Sequence, residues 1–574
     1  MIAPMAQTLP RNADVAEQLE LLADILELEG EAAYRVLAYR RAAARVRETS
    51  GLVAELALEG KAKELPGIGK TIEGKILQIV EDGEIHALTK HKALVPPEVV
   101  QFTRLPGLGP KTARKIWQEL GVTSLADLRQ AARQEKLRSL PGLGAKLEER
   151  IVQELSAKRK APAEVRPLLG AGLPAVQAVV SVLREHPAAL EVSEAGSVRR
   201  RKETFRDLDI IATASEPAEL TDYFTKLRWV EKVAAKGESK ATVVSNEGLR
   251  FDLRVVPSGL YGNLLQHFTG SKHHNVALRE DAVRRGLSIS ENGVKDVETG
   301  KIFKTGSEEE LYAHLGYAYI EPELRENLGE LEAARNGALP QLVELSDLRG
   351  DLHTHSTWSS DGKNSIEEMA LAAKDRGYSY LAVTDHSHYL REGRLEAQDE
   401  EIEALGARLG GFRILKGIEV NIRADGSLDV DDETLARRDW VVASLHTAFD
   451  RNPTERVLAA MKNPHVDCIG HLTARKINRR GPVDLDLGRV FEQALSTSTF
   501  LEINSQPDRL DLRDTHARAA ADAGVLLAIS SDAHSTRALA YPELGVGQAR
   551  RGWLSKEQVL NTRTWPQIKR LLGG

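Results

Sequence analysis

Cysteine is almost missing from this 574-residue chain. Cys468 stands alone, which excludes an intramolecular disulfide and fits a reducing cytoplasm. No run of about 18 apolar residues occurs, so no segment reads as a membrane-spanning helix. The N-terminus lacks the basic, apolar and small-residue succession of a secretory signal. An excess of basic charge is missing too. The formal net charge of −6 does not advertise a nucleic-acid binder, although a local basic stripe can coexist with acidic domains elsewhere. What remains is the composition of an ordinary globular chain, 42% hydrophobic and 28% charged. The length exceeds one core and implies roughly three to five domains. Histidine is unevenly spread: nine of the 16 lie in the last 230 residues, several beside aspartate or at His-x-His spacing, which argues for a metal site there.

Residues 13–60 read as helices, one over Val15–Leu28 ending near Gly30 and one over Ala32–Glu48. Leu-Pro-Gly-x-Gly then recurs from Leu65, Leu105 and Leu140, each time before a helical pattern but at unequal spacing. Residues 157–167 look like a linker. Strands are expected over Asp207–Ala212, Lys240–Ser245 and Phe251–Val256, and a polar, proline-punctuated connection over 323–345. From about residue 347, short apolar strands alternate with helical patterns: Tyr380–Val383, Phe412–Leu415, Trp440–Ser444, Val466–Ile469, Phe500–Ile503 and Val525–Ile529. About seven such units indicate a β/α barrel.

In each Leu-Pro-Gly copy two glycines flank one apolar residue: Gly67 and Gly69, Gly107 and Gly109, Gly142 and Gly144. Glycines allow a tight hairpin between helices, and the exposed N–H groups of the next helix can hold a phosphate without reading a base. Lys70 and Lys111 would add charge there. One copy could be an ordinary helix connection; three near-copies argue otherwise. The motif resembles the helix–hairpin–helix of DNA repair proteins.

A second constellation begins at Gly196-Ser197-Val198-Arg199-Arg200-Arg201-Lys202, followed by Asp207-Leu208-Asp209. Residues two apart on a strand share a face, so Asp207 and Asp209 point the same way while Leu208 and Ile210 enter the core. Asp252, in Arg250-Phe251-Asp252-Leu253-Arg254, supplies a third strand carboxylate. Three carboxylates near a Gly-Ser turn and basic residues suit two Mg²⁺ ions and a triphosphate. The set resembles the nucleotidyltransferases, and among them the family X DNA polymerases such as polymerase beta. The resemblance continues through His267-Phe268-Thr269-Gly270-Ser271.

That resemblance implies Gly196, Ser197 and Arg200 at the triphosphate, and Asp207 and Asp209 on both Mg²⁺ or Mn²⁺ ions. It implies Asp252 as the activator of the primer 3′-hydroxyl. Phe268, Gly270, Asn275 and Arg279 would meet the incoming nucleotide and the template. His267 replaces the family's tyrosine near the sugar, which puts strict ribonucleotide rejection in question. The N-terminal segment is similar to the family's small lyase domain, through Tyr39-Arg40-Arg41-Ala42-Ala43 and the first hairpin. Lys75 falls at its Schiff-base position, where a neutral amine is required. Arg35 and Thr71 stand where polymerase beta has lysines.

In the C-terminal region the strands end in potential ligands: His353, His355 and Asp361; His386 after Asp385; Glu419; His446; His471; Asp532 and His534. Barrel enzymes place their chemistry at the C-terminal ends of strands. Mixed imidazole and carboxylate donors suit Zn²⁺, Mn²⁺ or Fe²⁺, which can acidify water and polarise a phosphoryl oxygen. His388, His465 and His516 fit no ligand slot. The region resembles the polymerase and histidinol phosphatase (PHP) domain over essentially all of 347–574. The resemblance implies up to three metals, Zn²⁺ or Mn²⁺. His353, His355, Glu419 and Asp532 would hold one, Asp361, His386 and His534 a second, and Glu419, His446 and His471 a third. Arg475 would contact phosphate, although Leu472 and Ala474 replace the family's proline and glycine.

The expectation is thus a multidomain α/β chain. A lyase-like helical domain (1–90) precedes a fingers-like domain with helix–hairpin–helix motifs (91–160). An α+β nucleotidyltransferase palm (161–258) and a thumb-like domain (259–340) follow, and a distorted (β/α)7 barrel (341–574) ends the chain. The expected function is gap-filling DNA synthesis in base excision repair from dNTPs on gapped or primer–template duplex, in the cytoplasm on nucleoid DNA. A 3′-5′ exonuclease or abasic-site endonuclease would accompany it. Two alternatives stay open here: a barrel that hydrolyses small phosphoesters or 3′-phosphates, and a DNA-end-binding scaffold of weak activity. No membrane or specific protein partner is implied.

Overall fold

The computed structural model describes residues 9–10, 12–49, 53–65, 67–92, 94–105, 108–140, 143–144, 147–149, 151–152 and 165–573. The chain forms two compact units, Met1–Val165 with Val244–Gly248, and Arg166–Val243 with Leu249–Gly574. No helix among the described residues is long and apolar enough to cross a membrane.

The first unit is helical. Val15, Leu19, Leu22 and Leu26 recur at three- and four-residue spacing on Asn12–Glu29 and are buried, as amphipathic packing requires. That helix pairs with Ala33–Glu48. At the first hairpin Gly67 has φ +86°, which a side chain would disfavour, and Gly69 precedes helix Lys70–Asp82. Gly109 likewise precedes helix Pro110–Leu120. Gly107, Gly142 and residues 157–164 of the linker lie outside the described residues.

Among the described residues, the strands form three sheets. The first has the order β1-β2-β5-β4-β3, with β1 Ala189–Glu194, β2 Leu208–Ala214, β3 Val230–Lys236, β4 Lys240–Ser245 and β5 Arg250–Val256. β2 and β5 run parallel and set Asp209 opposite Asp252. Helices Tyr261–Thr269 and Lys272–Arg284 follow, and then a small sheet of β6 Leu287–Ser290, β7 Gly293–Asp296 and β8 Ile302–Phe303.

Segment 323–345, expected as a polar connection, is instead partly built into the fold. Arg325 and Glu330 are fully buried, because Arg325 pairs with Glu308 and Glu330 with His274 at 2.7 Å. Polarity in the sequence marked buried ion pairs there as well as solvent exposure.

The third sheet is the barrel: β9 Gly350–Thr354, β10 Tyr380–Val383, β11 Arg413–Asn421, β12 Trp440–Ser444, β13 Cys468–Gly470, β14 Phe500–Asn504 and β15 Leu527–Ser530, all parallel and in chain order. Its strands are buried on both faces, which explains their continuous apolar reading. Closure between β15 and β9 is made partly by a side chain. Asn561 donates to Gly350 O at 2.8 Å and Ile529 O at 2.7 Å and accepts from Ile529 N at 3.0 Å, standing in for a strand ladder. β11 is longer than its apolar run because its first half pairs with β10 and its second with β12, so Glu419 lies inside the strand. Leu510 and Leu544, from the barrel half, complete the core under the first sheet.

Candidate active sites

On the first sheet, Asp207, Asp209 and Asp252 converge. The Arg250 Nε stands 3.3 Å from Asp207 Oδ1 and 3.2 Å from Asp252 Oδ2. Gly196, at φ +65°, closes on the same place: a Cβ there would lie 2.2 Å from Asp209 Oδ2. Burial, reinforced by the charges of Asp252 and Asp207, pushes the Asp209 acid up to about 7. Carboxylates packed this way repel unless cations lie between them, so the donor set fits hard divalent ions.

The basic turn and the two following helices meet. Arg200 donates through Nε to Glu326 Oε1 at 3.0 Å and through Nη1 to Thr269 O, and a Cβ on Gly270 would lie 3.1 Å from Nη1. Asn275 donates to His267 O at 2.8 Å, and Arg279 Nη2 stands 3.1 Å from His267 Nδ1. Burial and then Arg279 hold the imidazole of His267 below its usual range, which favours the neutral ring. The Phe268 ring lies under the Arg254 guanidinium at 4.4 Å.

At the C-terminal ends of the barrel strands all nine expected ligands come together, with Glu419 at the centre. Its Oε2 lies 2.7 Å from His386 Nδ1, 3.6 Å from His353 Nε2 and 3.8 Å from His355 Nε2. Its Oε1 lies 3.3 Å from His446 Nε2 and 3.2 Å from His471 Nε2. Asp532 Oδ1 is 3.3 Å from His355 Nε2, and Asp361 Oδ2 is 3.4 and 3.3 Å from the Nε2 atoms of His386 and His534. Among the described residues, buried His353 Nε2, His355 Nε2 and both Glu419 oxygens meet in close N···O pairs without well-directed hydrogen bonds. Buried polar atoms are rarely left so, and here they converge in groups compact enough for metal ions. Burial would raise the Glu419 acid, but His446, His386 and His353 outweigh it and hold the carboxyl well below its ordinary value. Burial, joined by His534 at one ring and by Arg509 at the other, lowers His355 and His471 to about 3 and keeps them as neutral donors.

Sequence reasoning missed the residues that orient these ligands. Glu502 accepts from His353 Nδ1 at 2.7 Å and His471 N at 2.6 Å, Asn421 Oδ1 holds His446 Nδ1 at 2.6 Å, and Asn504 donates to Asp532 Oδ2 at 3.0 Å. The available signal was an acid inside the apolar strand Phe500–Asn504. Arg475 is buried, donates to Leu510 O and pairs with Glu203 at 2.9 Å. The guanidinium beside a ligand belongs to Arg509, whose Nε lies 3.6 Å from Asp532 Oδ2 and has no hydrogen-bond partner.

In the helical unit, Lys75 Nζ lies 5.7 Å from the Tyr39 ring centroid. Burial, with Arg35 adding its charge, lowers its pKa. A concavity of about 680 Å³ lined by Tyr34, Arg35, Tyr39, Lys63, Gly67 and Gly69 lies at the first hairpin.

Chemistry at phosphorus is what both clusters of the second unit are built for. The fold and its sites therefore define a nucleotidyltransferase joined to a metal-dependent phosphoesterase. Family models match in the same order: a helix-hairpin-helix domain at residues 10–85, a SAM-like helix-hairpin-helix tandem at 100–157, the DNA polymerase beta thumb at 264–326 and the PHP domain at 351–519. The "DNA polymerase/3'-5' exonuclease PolX" of Bacillus subtilis is 39% identical over 570 residues, covering 97% of this chain and 99% of that protein. DNA polymerase lambda of Rattus norvegicus is 27% identical over 346 residues, 55% of this chain and 56% of that one. A "probable phosphatase" of a Thermoanaerobacter species is 31% identical over 233 residues, 37% of this chain and 89% of that protein. The chain belongs to the PolX family, the family X DNA polymerases that carry a C-terminal PHP domain.

Proposed function

We propose that this chain extends DNA 3′ ends across short gaps at the aspartate cluster and hydrolyses 3′-terminal phosphodiesters at the barrel cluster. The observation that carries this is the presence of both constellations, each with its donors assembled, within the one compact unit Arg166–Val243 with Leu249–Gly574. The Bacillus subtilis relative bears both activities in its name. The family matches at 10–85, 100–157, 264–326 and 351–519 fall in the order of a division at 90, 160, 258 and 340, in which 161–258 is read as the palm.

In this reading Ser197 and Arg200 hold the triphosphate, Asp207 and Asp209 hold Mg²⁺ or Mn²⁺, and Asp252 receives the proton of the primer hydroxyl. Phe268, Gly270, Asn275 and Arg279 orient the nucleotide and template, with His267 near the sugar. At the barrel, His353, His355, Glu419 and Asp532 take one Zn²⁺ or Mn²⁺, Asp361, His386 and His534 a second, and Glu419, His446 and His471 a third. Bound cations supply an acidified water and neutralise charge developing on the phosphoryl oxygens. Glu502 and Asn421 keep His353 and His446 in the tautomers that present Nε2 to the cluster. An end-labelled gapped duplex with Mn²⁺ tests the whole: extension with dNTPs and 3′ shortening without them are expected. Extension with no shortening would remove 3′-terminal phosphodiesters as the barrel's substrate and leave small phosphoesters or another DNA lesion.

Arg509 is placed to meet the phosphate. Arg509→Met is expected to slow 3′ shortening about 100-fold, as for removal of one preorganised donor, while metal content by mass spectrometry stays at the wild-type level. Full activity in that variant would free Arg509 of the role. Lys75, with its lowered pKa and its amine against Tyr39, which lines the concavity, is read as the amine of a 5′-deoxyribose-phosphate lyase. Borohydride should trap it on an incised abasic duplex, and Lys75→Ala should abolish the adduct; persistent trapping would assign the amine elsewhere.

A further inference from the structure

The basic turn of the polymerase half is held from behind by the barrel. Helix Pro542–Arg551 presses on it at Gly547, where a Cβ would lie 3.0 Å from Arg201 Cβ, and Gln548 donates to Arg201 O at 3.2 Å. Arg551 ends that helix with a 3% exposed side chain. Its Nη1 donates to Arg200 O at 2.8 Å and to Glu326 Oε1 at 3.0 Å. Its Nε and Nη2 donate to Asp514 Oδ2 at 2.9 and 2.7 Å. Glu326 Oε1 is the same oxygen that accepts from Arg200 Nε at 3.0 Å. Arg551 thus grips both ends of Arg200, its carbonyl directly and its guanidinium through the shared carboxylate.

We propose that Arg551 of the barrel is a positioning residue for DNA synthesis: it sets Arg200 for the triphosphate, so the nucleotide site is completed by the barrel. The proposal rests on the reading of Arg200 as a triphosphate ligand. Charge supports it. Lys202 stands 4.0 Å from Glu326, so three cations, Arg200, Arg551 and Lys202, face two carboxylates, Glu326 and Asp514. The surplus is positive at the turn that an incoming polyanion would meet. Arg200, Glu326, Asp514 and Arg551 are each at most 15% exposed, which keeps these charge-assisted bonds strong and directional. Glu326 also gives Arg200 somewhere to rest when no nucleotide is bound. The carbonyl bond and the packing at Gly547 fix the turn itself.

The test is steady-state gap filling by the full-length protein, with Arg551→Met, Arg551→Lys, Arg200→Ala and the Arg551→Met/Arg200→Ala double variant. Arg551→Met should raise KM for the dNTP about tenfold with little change in kcat, the scale of one hydrogen bond to a charged group, and Arg551→Lys should recover part of it. Shortening of an end-labelled strand at the barrel, read on the same preparations, should be unchanged. In the Arg200→Ala background, Arg551→Met should add nothing. An unchanged KM in Arg551→Met, or an effect that adds to that of Arg200→Ala, overturns the proposal. If Arg200→Ala itself leaves KM unchanged, the reading of Arg200 fails and the proposal with it. Glu326→Gln cuts the same bridge without removing Arg551, so a rise in KM there is expected even if Arg551→Met folds poorly, and an unchanged KM there overturns the shared-carboxylate route.

Discussion

Asp209→Asn is expected to lose at least about a thousandfold in nucleotide incorporation, about 4 kcal/mol of barrier, and at the same time to stabilise the metal-free protein. The two effects have one cause. Asp209 is packed against the Gly196 turn and opposite Asp252, and its acid is pushed up to about 7 by burial and by the Asp252 and Asp207 charges. An acid that holds its proton more tightly folded than unfolded contributes stability below its unfolded value near 4, and that contribution is lost as pH rises through about 7. The shift from 3.8 to about 7 corresponds to about 4 kcal/mol at face value; partial solvent screening reduces it to about 1–2 kcal/mol. Asparagine keeps the shape and removes the charge. Thermal unfolding after chelation should therefore show the variant melting higher than wild type at pH 8, with the gap closing toward pH 4. Incorporation should be almost gone, and 3′ shortening should continue at the wild-type rate. Equal melting at pH 8 with full incorporation would take Asp209 out of the reaction.

The contrast between what was legible in the sequence and what was not has physical reasons. The barrel could be read because parallel strands buried on both faces are unbroken apolar runs, and because its candidate ligands are histidines and carboxylates of unusual type at or near strand ends. Strand geometry has period two, so spacing led to the expectation of Asp207 and Asp209 on one face; Asp209 lies in β2, whereas Asp207 stands just before its first residue, Leu208. Glu502 could not be read as a partner of His353, because that pairing spans 149 positions and depends on barrel closure. Arg475 and Arg509 both follow strand ends, and sequence cannot tell which one turns inward. Folding does: Arg475 turns to Leu510 and Glu203, whereas Arg509 lies against Asp532. The same limit hid Arg551. Its meaning lies in Arg200, 351 positions earlier, and nothing local marks a helix-ending arginine as part of another site.

Glu419→Gln carries the other large effect. Five imidazoles, His353, His355, His386, His446 and His471, lie within 3.8 Å of its carboxylate. One substitution therefore weakens more of the cluster than loss of any single histidine would. Metal bound per chain should fall, and 3′ shortening should drop at least about a thousandfold, because Glu419 would help to hold the cations that would acidify water and neutralise charge on the phosphate. Gap filling should stay within about threefold, as expected for sites that share no ligand. Chelation should lower the melting temperature of the wild-type protein, since ions that bind the folded state stabilise it, and the smaller drop expected for Glu419→Gln isolates the barrel's share. The carboxyl of Glu419, held well below its ordinary value, contributes stability above the unfolded value near 4.5 that is lost as pH falls toward the folded one. The metal-free variant should lack that acid-side slope. Loss of gap filling together with shortening would mean that the barrel cluster supports DNA synthesis directly. Retention of shortening would show that the water-activating ions are held without Glu419, by Asp361, Asp532 and the histidines around them.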